Sequence, residues 1–129
     1  MRIPIALRQE MLAHIQSCLP EEACGILGGT SGEARRAFLV ENELHSPVRY
    51  RMRAEIQLQA LLQLEEESLD LVGIFHSHPT SPAYPSPTDL AEFAYPEALT
   101  LIWAPVGGSW QMRAFWIDGS QVTEVEIVE

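Results

Sequence analysis

Residues 71–79 read LVGIFHSHP, an apolar run that ends in two histidines and a proline. A continuous apolar run of this length is typical of a central strand that is covered on both faces. Side chains at i and i+2 of a strand point to the same face, so His76 and His78 can reach one metal ion. Ser77, between them, should point to the opposite face and have a structural role.

A third polar group follows in the loop after the histidines. Residues 86–89 read SPTD, which combines an N-cap serine, a proline at the first helical position and an acid at the third. This is the pattern of a good helix start, and a carboxylate held at a helix N-terminus is also oriented and kept ionised. Asp89 can therefore return to His76 and His78 as a third ligand. Three protein ligands leave a position for water, as in catalytic zinc sites, so the sequence predicts a metal-dependent hydrolase with zinc as the first choice of metal.

Outward from this strand, helical spacing predicts three helices, over residues 4–18, 54–68 and 87–93. Short apolar runs between turn residues predict six strands, over residues 23–28, 34–42, 71–75, 98–104, 109–117 and 121–128. In the second helix we expect the leucines to face inward, namely Leu58, Leu61, Leu62 and Leu64. Residues 43–53 are expected to form a loop with a short strand near Tyr50. The order predicts an α/β or α+β fold with a central mixed sheet flanked by helices.

The composition predicts one compact domain over residues 1–129, since 129 residues with 47% apolar content can bury a real core. A net charge of −10 opposes phosphate backbones and disfavours nucleic acid as a partner. No apolar run approaches the roughly 20 residues of a membrane span. Cys18 and Cys24 are too few for a disulfide framework, and no leader pattern precedes the first helix, so we expect a cytoplasmic protein.

A zinc-bound water needs a base, and spacing alone does not choose one among the many acids. Glu21 and Glu22 precede an apolar, glycine-rich run, and an acid at the mouth of such a strand can face a cleft. On composition alone, two solvated charges after Pro20 would be the simpler interpretation.

Taken together, three short patterns resemble the motif of the JAMM (MPN+) metalloproteases: Glu22-x-x-Gly25, His76-Ser77-His78-Pro79 and Ser86-x-x-Asp89. Residues 20–25 are further similar to the small stand-alone bacterial members, and every motif position is filled. The resemblance implies a JAMM/MPN fold, with cytidine-deaminase-like layering, and one zinc held by His76, His78 and Asp89. It also implies Glu22 as general base and later acid, and Ser86 as a hydrogen-bond donor to the oxyanion.

The same resemblance implies a peptidase or isopeptidase that cleaves after the C-terminal Gly-Gly of a ubiquitin-like, sulfur-carrier protein. An exposed edge strand could bind such an extended tail by strand addition, or could form a homodimer. Two alternatives stay open: a non-catalytic scaffold of the same family, and a DNA-repair-associated protein of the RadC type. The intact ligand set opposes the first, whereas HSHP in place of HNHP and the charge of −10 oppose the second.

The remaining conspicuous side chains have simpler interpretations. His14 is expected at the boundary of the first helix, and His45 is expected to be a loop histidine that could approach the cleft. Cys24 is expected to be a buried packing thiol. The tryptophans alternate with apolar neighbours in strands and are expected in the core, although one could line a substrate groove: Trp103, Trp110 and Trp116.

Overall fold

A computed structural model describes residues 1–129 as a six-stranded mixed sheet with three helices. The helices are α1 (Ile5–Cys18), α2 (Ala54–Glu66) and α3 (Pro87–Ala91). The strands are β1 (Cys24–Thr30), β2 (Glu33–Val40), β3 (Asp70–Ser77), β4 (Leu99–Val106), β5 (Ser109–Asp118) and β6 (Gln121–Val125). Their order in the sheet is β2-β1-β3-β4-β5-β6, with β3 and β4 parallel and all other neighbours antiparallel. None of the helices has the length and apolar character of a membrane span.

The predicted fold class and all nine elements are confirmed, with shifts at the ends. α3 ends at Ala91 rather than at residue 93, and β6 ends at Val125 rather than at residue 128. Near Tyr50 the structure has an isolated bridge between Asn42 and Met52 in place of a short strand. End positions shift because terminal turns and strand ends are held by few hydrogen bonds.

Gly25 in β1 leaves room for a large side chain of the neighbouring strand β3. Gly25 lies opposite Phe75 of β3, and a Cβ at Gly25 would come within 2.3 Å of the Phe75 ring. Phe75 itself is fully buried and belongs to the core on the α1 face of the sheet. The close approach of ring and backbone therefore requires a residue without a Cβ at this position.

One face of the sheet packs against α1, and we call it the α1 face. Leu7, Met11 and Ile15 recur every four residues along α1 and are all buried. They contact strand residues that include Leu27, Phe75, Leu101, Trp103 and Ala114. The result is an apolar core that spans all six strands when Ala34 of β2 and the adjoining Val125 of β6 are included.

Residues 1–3 close the edge of the α1 face by pairing with two distant segments. The Arg2 N–H donates to the Gly32 carbonyl at 2.7 Å, and the Ile3 N–H donates to the Val128 carbonyl at 2.8 Å. The first residues therefore join the turn before β2 to the segment that follows β6. The side chain of Ile3 is fully buried.

The opposite face packs against α2, and we call it the α2 face. Here the expectation that four leucines face inward is wrong. Leu58 and Leu62 are 58% and 57% exposed, Leu61 is half-buried, and only Leu64 is fully in the core. α2 lies so close to β1 that a Cβ at Gly28 would be 2.0 Å from Leu64 Cδ2. This contact, with the small Ala60 one turn earlier, fixes which stripe of the helix is buried.

The tryptophans also divide. Trp103 is buried in the α1-face core and Trp110 packs partly against it, as expected. Trp116 is 44% exposed, so its assignment to the core is wrong. It lies on β5, next to the short edge strand β6.

Candidate metal centre

Two buried imidazoles meet at the end of β3, on the α2 face. His76 and His78 are 1% and 2% exposed, and their Nε2 atoms are 3.1 Å apart. The spacing of two residues along an extended chain places both rings on the same side, as the sequence predicts. Ser77 lies between them, fully buried, where its Oγ accepts a hydrogen bond from the Ala23 N–H at 2.8 Å.

Asp89 approaches both histidines from the start of α3. Its Oδ2 atom lies 3.1 Å from His76 Nε2 and 3.0 Å from His78 Nε2. The same oxygen accepts a hydrogen bond from the Ser86 N–H at 2.9 Å, and Ser86 Oγ accepts one from the Asp89 N–H at 3.0 Å. This reciprocal cap forms because Ser86 precedes Pro87 and Asp89 is three residues later.

The electrostatics of Asp89 and His76 suit a cation, whereas those of His78 favour its protonated form while no cation is bound. Burial opposes ionisation of Asp89, but hydrogen bonds with His76 and His78 outweigh it and hold the pKa of this carboxyl well below its usual range. Burial lowers the pKa of His76 below its usual value. For His78, burial also acts to lower the pKa, yet hydrogen bonds to Asp89 and to the Pro82 carbonyl raise it overall. An ionised carboxylate and a neutral imidazole are the forms that bind metal ions.

Glu22, two residues before the start of β1, lies close to His76 and His78. Ligand atoms of Glu22, His76 and His78 all lie within 4.8 Å of one another. Glu22 is 3% exposed, and its Oε1 is buried without a hydrogen-bond partner. Burial raises the pKa of Glu22 to about 8, while the nearby His78 opposes this rise and Asp89 adds to it.

These residues fit a divalent metal ion. Two nitrogens and two carboxylate groups converge without any cationic side chain among them, and a buried carboxylate oxygen has no partner. Burying an unpaired polar group is unfavourable by about 1–3 kcal/mol, so such clusters mark places where an ion or reactant binds. The structure thus brings together four of the predicted site residues, with Ser86 beside them in the cap of α3.

The main chain of Glu22 is held from both sides by the segment after β2. Its N–H donates to the Ser46 carbonyl at 2.8 Å, and its carbonyl accepts from Asn42 Nδ2 at 3.0 Å. Sequence reasoning assigned no role to Asn42, which it placed inside a predicted strand. The one available signal was a polar amide after Glu41, at the end of the predicted strand over residues 34–42.

A cavity of about 410 Å³ opens beside His76 and Asp89 on the α2 face. Tyr50 forms one wall, and its ring stacks on the His76 ring with 4.6 Å between centroids and 26° between planes. Other residues that line this cavity include Met52, Gln57, Thr88, Glu92, Phe93 and Tyr95. The cavity therefore connects the candidate metal ligands to the surface between the segment before α2 and the segment after α3.

The other conspicuous residues lie outside the centre. His45 is exposed, and its Nδ1 is 3.0 Å from Glu21 Oε1, a contact that raises the pKa of His45. His14 is half-buried at the α1 boundary, with Nε2 3.1 Å from the Cys24 carbonyl oxygen. Cys24 is buried, as expected of a packing thiol, and burial raises its pKa to about 12.

Comparison with known proteins agrees with this architecture. Residues 4–118 match the family described as prokaryotic homologs of the JAB domain, and the chain belongs to that family. It is 37% identical over 109 residues to a desampylase of Pyrococcus furiosus, covering 83% of this chain and 75% of the relative. It is 35% identical over 124 residues to a CysO-cysteine peptidase of Mycobacterium tuberculosis, covering 92% and 85%. A solved structure from Desulfitobacterium hafniense, 32% identical, superposes with a TM-score of 0.89 over 98% of this chain and 90% of that one.

Proposed function

We propose that the protein is a zinc-dependent peptidase or isopeptidase that cleaves after the C-terminal Gly-Gly of a ubiquitin-like sulfur-carrier protein. The observation that carries this proposal is the convergence of His76, His78 and Asp89 on one point that Glu22 also faces. Relatives named desampylase and CysO-cysteine peptidase support the same class of reaction.

In this proposal His76, His78 and Asp89 hold one zinc ion per chain. Asp89 is assigned as the third ligand because its Oδ2 lies 3.1 and 3.0 Å from the two Nε2 atoms. Asp89 is also fixed in place by the α3 cap. When bound by three protein ligands, zinc supplies Lewis acidity and lowers the pKa of water to about 7.

Glu22 carries the proton. One of its carboxylate oxygens lies within 4.8 Å of ring nitrogens of both histidines, and its Oε1 is buried without a hydrogen-bond partner. Its raised pKa of about 8 suits a group that accepts a proton from the attacking water and later releases it. The same group then delivers the proton to the leaving nitrogen. Because its main chain is hydrogen-bonded on both sides, Glu22 keeps one position through both transfers. General acid–base catalysis of this kind contributes about 10²–10⁴-fold to the rate.

Ser86 stabilises the oxyanion. Its Oγ already accepts a hydrogen bond from the Asp89 N–H at 3.0 Å, which leaves the hydroxyl hydrogen free to donate. The α3 cap holds this hydroxyl beside the Asp89 carboxylate, where the substrate carbonyl would lie. Removal of one such donor typically lowers kcat by about 10²–10³-fold.

The substrate class follows from the shape and charge of the surroundings. A Gly-Gly tail has no side chains to read, so its recognition rests on a narrow passage and on main-chain contacts, including strand addition. The cavity of about 410 Å³ beside His76 and Asp89 offers such an approach. A net charge of −10 favours a protein partner over nucleic acid. The free thiols of Cys18 and Cys24 suit a cytoplasmic protein, and a free sheet edge would also permit a homodimer.

The test combines zinc stoichiometry with cleavage of ubiquitin-like carriers that bear a C-terminal amino-acid adduct, for the wild type beside Glu22→Gln. We expect one zinc per chain and cleavage that depends on Glu22. Zinc without cleavage of any carrier adduct would overturn the substrate class. Substoichiometric zinc would overturn the enzyme and favour the non-catalytic scaffold.

A further inference from the structure

Residues 42–53, which connect β2 to α2, touch both the proposed proton carrier and a proposed metal ligand. We call them the 42–53 segment. Its first residue bonds the main chain of Glu22, its Ser46 carbonyl accepts the Glu22 N–H, and its Tyr50 ring lies on His76. The 42–53 segment therefore contacts the candidate site at three points.

Asn42 organises this segment from the inside. It is 6% exposed and uses both ends of its amide. Its Nδ2 donates to the Glu22 carbonyl at 3.0 Å and to the Arg49 carbonyl at 3.1 Å. Its Oδ1 accepts from the N–H groups of Leu44 and Arg51, each at 3.1 Å. One side chain thus ties the two arms of the segment to each other and to Glu22.

The two candidate histidine ligands are oriented in different ways. A metal-binding histidine usually donates its second ring N–H to a neighbouring oxygen, which fixes the ring. His78 has this partner, because its Nδ1 lies 2.7 Å from the Pro82 carbonyl oxygen. His76 Nδ1 is buried and has no partner. The His76 ring instead stacks on Tyr50, with 4.6 Å between centroids and 26° between planes.

We propose that Asn42 and Tyr50 are positioning residues of this site. Asn42 locks the 42–53 segment to the main chain of Glu22, and Tyr50 holds the His76 ring in the orientation that a metal ligand requires. This inference rests on the proposed function and deepens it, since it names the residues that hold the base and one ligand in place. Neither residue contacts the reacting atoms in this account.

The test of Tyr50 measures zinc affinity by competition with a chromophoric chelator, so it needs no substrate. Tyr50→Leu removes the aromatic face, whereas Tyr50→Phe keeps it and removes only the hydroxyl. We expect Tyr50→Leu to weaken zinc binding about 10–100-fold, the usual effect of losing a group that orients a ligand. Tyr50→Phe should stay within about twofold of the wild type. Equal affinities for Tyr50→Leu and the wild type would overturn the role of Tyr50.

The test of Asn42 compares Asn42→Ala with Asn42→Asp. The aspartate retains an acceptor for Leu44 and Arg51 but loses both donors, including the one to Glu22. If the bond to Glu22 is what matters, both variants lower kcat about 10–100-fold with KM nearly unchanged, and both speed amide exchange at Glu22. A wild-type kcat and wild-type exchange in Asn42→Asp would overturn the role of Asn42.

Met11→Ala is the matched control for general destabilisation, because Met11 is buried in the α1-face core. All variants are compared at a temperature where each is fully folded. If Met11→Ala weakens zinc binding or lowers kcat as much as the test variants do, the positioning roles are wrong. If the wild type binds zinc but cleaves no carrier adduct, the proposed function fails, while zinc affinity and Glu22 amide exchange still decide the roles of Tyr50 and Asn42.

Discussion

The two faces of the sheet are built from the same strands but differ in what they bury. On the α1 face, Phe75 of β3 packs with Leu27, Leu101 and α1 in an apolar cluster. On the α2 face, Ile74 belongs to a second apolar cluster, and His76 belongs to the candidate metal centre. Adjacent residues of one strand thus serve a core and a site, because a strand alternates its side chains between faces.

The α1 face contributes mainly to stability, whereas the α2 face carries the candidate site. Around the end of the α2 face, the buried polar side chains include Glu22, His76 and His78, and Glu22 has an unpaired oxygen. Such groups are unfavourable for folding by about 1–3 kcal/mol each when they lack partners. We infer that the α1 face, whose core is apolar apart from the unpaired Trp103 Nε1, supplies much of the stability that allows the α2 face to carry them.

Glu22→Gln is expected to have the largest effect and to move activity and stability in opposite directions. Turnover should fall about 10²–10⁴-fold, with zinc retained. In the metal-free protein, burial holds the folded pKa of Glu22 at about 8, above the ordinary glutamate value of 4.5, so ionisation destabilises the fold increasingly as pH rises between these values. The glutamine should therefore stabilise the metal-free protein at pH 7 by on the order of 1–3 kcal/mol.

Urea unfolding of the chelated protein across this pH range measures the effect, with zinc content and turnover measured in parallel. A variant that loses stability at pH 7 would show that Glu22 contributes to the fold rather than straining it. The contrast between the two faces would then be wrong.

Ser86→Ala should affect the α2 face through two separate losses. Removal of the hydroxyl should lower kcat about 10²–10³-fold if it donates to the oxyanion. It also removes the cap of α3, which stabilises the fold by about 0.5–2 kcal/mol. Steady-state kinetics and thermal unfolding measure the two losses. Ser86→Thr is the matched control, since threonine keeps both the hydroxyl and much of the capping ability. A loss of stability with unchanged kcat would leave Ser86 as a cap alone.

Met11→Ala tests the α1 face. Met11 is fully buried, and truncation should destabilise the protein by about 3 kcal/mol. Because Met11 packs on the face opposite the metal centre, zinc affinity and kcat of the folded protein should not change. Chemical denaturation would measure the loss of stability, and zinc titration would measure the affinity. A parallel fall in zinc affinity would mean that the two faces are coupled through the sheet.

Leu62→Ala and Leu64→Ala, on the same helix, give the smallest and sharpest contrast. Leu62 is 57% exposed, so its truncation should change stability by no more than about 0.5 kcal/mol. Leu64 is 2% exposed and packs over Gly28, so its truncation should destabilise by about 2–5 kcal/mol. The two variants have the same change in volume and helix propensity. Similar losses of stability would contradict the position of α2 on the sheet.

Short sequence patterns predicted the features of the site that depend on residues close together in the chain. The run of residues 71–79 placed two histidines on one face of a strand, and the spacing of Ser86 and Asp89 set a helix cap. These features involve residues no more than three positions apart, so the sequence pattern carries them directly. The family resemblance then selected Glu22 from many acids, which spacing could not do.

Features that depend on distant contacts were not predictable in this way. The four leucines of α2 cover more than one stripe, and the choice of Leu64 depends on Gly28 of β1. The role of Asn42 depends on a hydrogen bond to Glu22, 20 positions away in the chain. No periodicity reports on such pairings, because they are set when separate elements pack together.

The Oδ2 atom of Asp89 closes the cap of α3 and also faces His76 and His78. Formation of α3 and binding of a cation at the histidines therefore share one atom and are thermodynamically linked: each must change the equilibrium constant of the other by the same factor. With 5 residues, α3 is far below the roughly 12–15 at which isolated helices become stable. A helix this short can report on the site, since the order of its amides changes with occupancy of a centre whose two histidine ligands lie outside the helix.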